Sequence, residues 1–148
     1  LIRLFRDRLN LWKRLFEQGG TGLLEDHRVK GLFAELLVLE TELAARPVLE
    51  AVSSWVGPLG ADQDFLFSDL AIEVKAIGPG TEGLSISSLR QLVAAVPLSI
   101  RVLTLRPASP GEKGAITLNS LVLRLEGSLS SSPDALALFR ERLLGAGY

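Results

Sequence analysis

Cysteine and methionine are absent from the 148 residues, and histidine occurs once, at His27. The lack of cysteine excludes disulfides and thiolate zinc sites and agrees with a reducing, cytoplasmic setting. The absence of a thiol rules out a Cys-His pair, and one histidine near a helix start gives no basis for assigning a Ser-His-Asp triad. His27 stands near an expected helix start and reads as a surface or capping residue. Excess positive charge is missing too. The formal net charge is -1, which lacks the basic footprint of a stand-alone DNA-binding module. An enzyme whose acidic ligands offset its basic residues escapes that argument. There is no secretory signal and no apolar run long enough to span a membrane. A chain that starts at Leu1 and holds no methionine is expected to be a piece of a longer protein, whose other segments could carry further basic charge.

What is present is a core-forming composition. Hydrophobic residues make up 47% and charged residues 22% of the chain, as expected for one ordered globular domain over residues 1–148. Residues 1 to about 18 have an amphipathic helical pattern, with Leu1, Leu4, Phe5, Leu11, Trp12, Leu15 and Phe16 at i, i+3/i+4 spacing. Arg3, Arg6, Lys13 and Arg14 lie mostly off that stripe, on a solvated or a phosphate-contacting face. Gly19-Gly20-Thr21-Gly22 ends it. A second helix is expected from Leu24 to Ala45, and a short one from Pro47 to Trp55. Strands are expected over 64–67, 70–77, 84–87 and 98–105, and helices over 88–96 (with Leu89, Leu92 and Val93 facing inward), 117–127 and 133–144. The order α-α-β-β-β-α-β-α-α gives a mixed α+β fold. It comprises an antiparallel strand pair, a later parallel crossover, and a four-stranded mixed sheet flanked by helices.

The chemistry gathers around Asp64–Lys75, DFLFSDLAIEVK. Side chains alternate faces along a strand, so Glu73 and Lys75 share one face while Ile72, Val74 and Ala76 share the other. A carboxylate and an ammonium therefore project together from a central-looking strand. Buried charge is costly unless it is paired or bound to a metal. Asp64, Glu73 and Lys75 thus suggest a divalent metal site with a cationic neighbour, or else a surface ion pair of little energetic weight. Glu35 sits in the apolar stretch GLFAELLVLE and needs a partner. An arginine would make it a structural ion pair; a metal or its water would make it part of a site. Glu42, two turns on, is expected in solvent at the helix end. Arg90, Arg101 and Arg106 are candidate phosphate contacts or solvated arginines.

The ordered set GLFAELLVLE, the Trp55-x-Gly57-Pro58 turn, QDF at 63–65, AIEVKA at 71–76 and ISSLRQL at 86–92 resembles the PD-(D/E)XK nuclease superfamily. It resembles more closely the bacterial members often encoded beside DNA methyltransferases and other restriction or phage-defence genes. The likeness covers nearly the whole chain. It implies a restriction-endonuclease-like core, with Asp64 and Glu73 as metal-binding carboxylates and the Val74 carbonyl completing the coordination. It also implies that Lys75 is the catalytic lysine, that Glu35 is an additional helix acid supporting the metal or its water, and that Gln91 orients the site or the substrate. Two positions depart from the pattern. Gln63 replaces the proline before the key aspartate, and Ala95 stands where some branches have tyrosine.

Hard oxygen ligands suit Mg²⁺, with Mn²⁺ as a substitute. The implied activity is Mg²⁺-dependent hydrolysis of DNA in a restriction or phage-defence context, with a DNA methyltransferase or other defence proteins, or a second copy of the chain, as partners. The alternatives are a catalytically inactive nuclease-fold subunit for DNA binding or complex assembly, and an α/β domain with no active site. Convergence of Glu35, Asp64, Glu73 and Lys75 on one pocket is what separates these readings.

Overall fold

The computed structural model describes residues 26–85 and 89–148. The amphipathic pattern over 1–18 lies outside them. Among the described residues the chain forms four α-helices and a three-stranded mixed sheet. Helix α1 spans Asp26–Ala45, α2 Val48–Ser54, α3 Leu118–Leu129 and α4 Pro133–Ala146. Strand β1 is Phe65–Leu66, β2 Ala71–Ile77 and β3 Leu98–Thr104, and single 3₁₀ turns occupy Gly57–Leu59 and Leu89–Leu92.

The sheet order is β1-β2-β3. β1 runs antiparallel to β2, with Phe65 opposite Ile72. β2 runs parallel to β3 along its whole length, with Glu73 opposite Ile100 and Lys75 opposite Val102. The central strand is β2, and its first four residues are buried on both faces. That burial is why two charged side chains in it need partners. Leu32, Leu36 and Leu39 of α1 join Val52, Trp55, Phe65, Ile72, Val74, Leu121, Leu125 and Phe139 in one core. Burying side chains of this size contributes about 1.5–3 kcal/mol each before chain entropy is counted. Arg124 of α3 clasps Glu40 of α1 through Nε and Nη2, at 2.6 and 2.9 Å.

Helix boundaries follow local chemistry. The Thr117 hydroxyl accepts from Ser120 N at 3.1 Å while Ser120 Oγ accepts from Thr117 N at 3.0 Å, a reciprocal cap. Pro133 occupies the first turn of α4, and Gly147 ends it in the left-handed conformation, φ 89°.

Three expectations are corrected. The sheet has three strands rather than four: Leu84 and Ser85 are unpaired, while 86 and 87 lie outside the described residues. The segment leading to them turns through Gly80 and Gly83, both at positive φ (73° and 88°), which breaks an extended run. The helix expected over 88–96 is only the 3₁₀ turn at Leu89–Leu92, with Leu92 and Val93 exposed rather than inward; Pro97 and the approach to β3 leave little room for more. Glu42 is not in solvent. It is 4% exposed and pairs with Arg46 at 3.1 Å and with Arg101 at 2.7 Å.

Candidate functional site

Asp64 is held at several points by the corner where the chain enters β1. Its carbonyl accepts from Val56 N and Gly57 N, both at 2.9 Å, and its amide donates to Ile72 O at 3.1 Å. Its side chain does not point freely into solvent, because Oδ2 accepts from the Val74 amide at 2.7 Å. Asp64 is thereby stitched to β2 one residue from Glu73 and one from Lys75.

Glu35 arrives from α1. Its Oε2 accepts from Trp55 Nε1 at 2.7 Å, and Trp55 is fully buried against Phe139, ring centroids 6.0 Å apart. Among the described residues no arginine is paired with it; the arginine ion pair lies two turns along, at Glu42. Gly57 sits between Glu35 and Asp64. A methyl group there would stand 3.1 Å from Glu35 Oε2 and 3.1 Å from Asp64 Oδ1. The missing side chain at Gly57 is what lets the two carboxylates approach a common point.

Glu73 and Lys75 project from the same face of β2. Lys75 Nζ is 2.8 Å from Glu73 Oε1 and donates to Gln91 Oε1 at 3.1 Å. Glu73 is 3% exposed, and its second oxygen, Oε2, is buried with no hydrogen-bond partner among the described residues. An orphaned carboxylate oxygen is costly in the interior. It marks a point where a cation or a donor would be favoured.

The electrostatics tie these groups together. Burial, reinforced by the negative charges of Asp64 and Glu73, pushes the Glu35 carboxyl up to about 8, against the opposing hydrogen bond from Trp55. Burial and the charge of Glu73 push Asp64 up to about 6, against the Val74 hydrogen bond and the charge of Lys75. Glu35 feels the charges of Asp64 and Glu73, and Asp64 feels that of Glu73, so the three acids form one interacting cluster. Perturbed acids of this kind gather at functional sites.

The donor set fits a hard divalent ion in part. Among the described residues no three acids or histidines stand close enough together to make a complete metal shell. Mg²⁺ does not need one, since it is usually held by one or two carboxylates, with water and phosphate oxygens making up the rest. The orphaned Glu73 oxygen and the crowded Asp64–Glu35 pair supply oxygen donors of that type.

An open groove of about 560 Å³ adjoins the cluster, lined by Lys75, Ile77, Thr81, Glu82, Leu84 and Ser85. Of the arginines considered as phosphate contacts, Arg101 is committed to Glu42 and Arg106 to Glu112, so neither is available as it stands. Arg90 lies on the Leu89–Leu92 turn with its carbonyl bonded to Gln63. Several supporting residues were not legible from the motifs: Trp55 as the partner of Glu35, Gly57 as the gap between two acids, and Gln63 as a side-chain tether. The Trp-x-Gly-Pro run was the only sequence signal for the first two.

No helix among the described residues is long and apolar enough to cross a membrane. A family model described as "Putative PD-(D/E)XK family member" matches residues 1–148. Neither the curated proteins nor the solved structures yield a match.

Proposed function

The chain belongs to the family described as "Putative PD-(D/E)XK family member", and from that premise, which points to a nuclease, we propose that it is a divalent-metal-dependent deoxyribonuclease domain of a restriction or phage-defence system. One observation carries the reading. Residues from separate segments are linked in a chain of contacts: Lys75 contacts both Glu73 and Gln91, Asp64 accepts from the Val74 amide between Glu73 and Lys75, and Glu35 and Asp64 flank Gly57.

Asp64, Glu73 and the Val74 carbonyl would hold Mg²⁺ or Mn²⁺, with Glu35 supporting its water. The ion, when bound, neutralises charge on the scissile phosphate and lowers the pKa of bound water. The chain's own residues do the rest. Lys75 brings a positive charge to the reacting phosphate, where it steadies the developing oxyanion or orients the attacking water. Gln91 fixes the direction of that ammonium through its 3.1 Å hydrogen bond. Glu73 keeps the lysine on the site face at 2.8 Å. Trp55 fixes the Glu35 carboxyl. The groove beside Lys75 gives the substrate strand a place to lie.

The test is cleavage of plasmid DNA with Mg²⁺ or Mn²⁺ by the full-length protein, compared with Asp64→Ala and Lys75→Ala. Nicking that disappears in both variants is the expected result. Equal cutting by the variants, or none by the parent protein, would sink the reading. A second reading, a nuclease-fold subunit that binds DNA or a partner without cutting, is favoured by the incomplete metal shell. It predicts DNA retention that is indifferent to Asp64→Ala.

A further inference from the structure

Gln63 is 8% exposed. Its amide nitrogen donates to two backbone carbonyls, Arg90 O at 3.0 Å and Val93 O at 2.9 Å. A primary amide has two N–H donors, and both partners here are acceptors, so only the nitrogen end of the side chain can make these bonds. The carbonyls bracket the 3₁₀ turn that carries Gln91, which is itself closed by Val93 N donating to Arg90 O at 3.1 Å. Leu92 and Val93 are exposed, so packing at those two positions does not hold the turn. A one-turn 3₁₀ segment is weak by itself.

The bonds form a closed circuit. Gln63 is the residue before Asp64, whose side chain accepts from Val74 N at 2.7 Å. Val74 lies between Glu73 and Lys75. Lys75 Nζ donates to Gln91 Oε1 at 3.1 Å, and the Gln91 turn returns to Gln63. We propose that Gln63 is a positioning residue, which sets the Gln91 turn against the Asp64 corner and thereby fixes the Lys75 ammonium in the site. The proposal rests on the nuclease reading for its consequence in catalysis, and on geometry alone for the coupling itself.

Two measurements test it, on the full-length protein. The first is a double-mutant cycle in DNA cleavage. Gln63→Met keeps the length of the side chain and removes both donors. It should lower kcat about tenfold with little change in KM, as expected when a reacting group is misaligned. It should cost nothing further in a Gln91→Ala background. An unchanged kcat, or a loss that multiplies in full with Gln91→Ala, overturns the proposal. The second measurement needs no activity, so it still decides if the parent protein cuts no DNA and the nuclease reading falls. The ¹⁵N resonance of the Lys75 ammonium should move in the same direction in Gln63→Met as in Gln91→Ala. A resonance unmoved by Gln63→Met, or unmoved by Gln91→Ala, overturns it. If Gln63→Met fails to fold, Gln63→Asn takes its place in both comparisons, since it keeps the two donors but draws them back by one methylene.

Discussion

The Trp55 indole N–H donates a 2.7 Å hydrogen bond to Glu35 Oε2, joining the acid of α1 to the residue that closes α2. This bond is what lowers the Glu35 pKa against burial and against the charges of Asp64 and Glu73. Trp55→Phe keeps the ring and deletes the donor. Glu35 should then titrate above its present value of about 8. Loss of a buried hydrogen bond costs about 1–3 kcal/mol. Carboxyl ¹³C titration of Glu35 and a denaturant melt check the two effects separately; a Glu35 midpoint that stays put or falls refutes the first.

The same pair of raised acids sets the pH dependence of the metal-free protein. Glu35 rises from 4.5 to about 8 and Asp64 from 3.8 to about 6. Between those values the folded state holds more protons than the unfolded chain, so stability falls as pH rises. The contribution is fully present below about pH 4 and lost as pH passes 6 for Asp64 and 8 for Glu35. Thermal melts in a chelator should give a Tm on the order of 10 °C higher at pH 5 than at pH 8.5. Glu35→Gln should flatten most of that slope. A slope of the opposite sign would contradict the buried, mutually repelling arrangement.

Much of this cluster was legible before the fold. The two-residue spacing of Glu73 and Lys75 put them on one strand face because strand geometry allows nothing else, and they do meet at 2.8 Å. Glu35 stood out as an acid among leucines. A parallel pairing does occur, but between β2 and β3 rather than through the strand and helix expected at 84–87 and 88–96. What could not be read were contacts between residues distant in sequence. The pairing of Glu42 with Arg101 depends on where β3 lands beside α1, which no local pattern encodes. The same holds for Gln63, whose amide reaches residues 90 and 93. At 84 and 85 the expected strand does not form for a local reason, since glycines at positive φ precede them.

Gly57→Ala probes the gap between the acids. The substitution adds one methyl 3.1 Å from both Glu35 Oε2 and Asp64 Oδ1, at a position whose backbone is not left-handed. Mn²⁺ affinity by calorimetry should fall at least about tenfold, since a single ångström of misplacement at such a site is expensive. Gly31→Ala is the matched control. It lies inside α1 with no described residue within 4 Å of the added carbon, so it should stabilise slightly by helix propensity, up to about 1 kcal/mol. Equal Mn²⁺ affinity in the two variants would mean that Gly57 has no special place.

Arg46 bridges three acids. It meets Glu42 at 3.1 Å, Glu50 at 3.1 Å and Asp69 at 3.0 Å, and lies over the Phe67 ring at 4.0 Å. Its removal leaves Glu42, buried, with Arg101 alone. Arg46→Ala should therefore lower Tm more than Arg101→Ala, and Glu42→Ala should be milder than Arg46→Ala because the released arginines are partly solvated. Melting all three variants at one pH gives the order directly. DNA cleavage per folded molecule should not change, because none of these residues reaches the Glu35–Asp64–Glu73 cluster.

Binding a divalent ion requires the carboxylates to give up their protons, so metal and proton compete for the same oxygens. At pH 6 the Asp64 carboxyl is about half protonated and Glu35 mostly protonated; at pH 8.5 both are largely ionised. Mn²⁺ should therefore raise Tm much more at pH 8.5 than at pH 6. An ion at a hundred times its Kd stabilises the fold by about 2.7 kcal/mol, which offsets part of the alkaline loss that the metal-free protein shows. The full Mn²⁺ effect should vanish in Asp64→Asn and in Glu73→Gln, because each removes a charged oxygen donor while keeping the side-chain shape. It should persist in Lys75→Ala, and could grow there, since that variant removes a competing cation from Glu73. A Tm shift of equal size at both pH values, or one retained by both acid variants, would locate the ion somewhere other than this cluster.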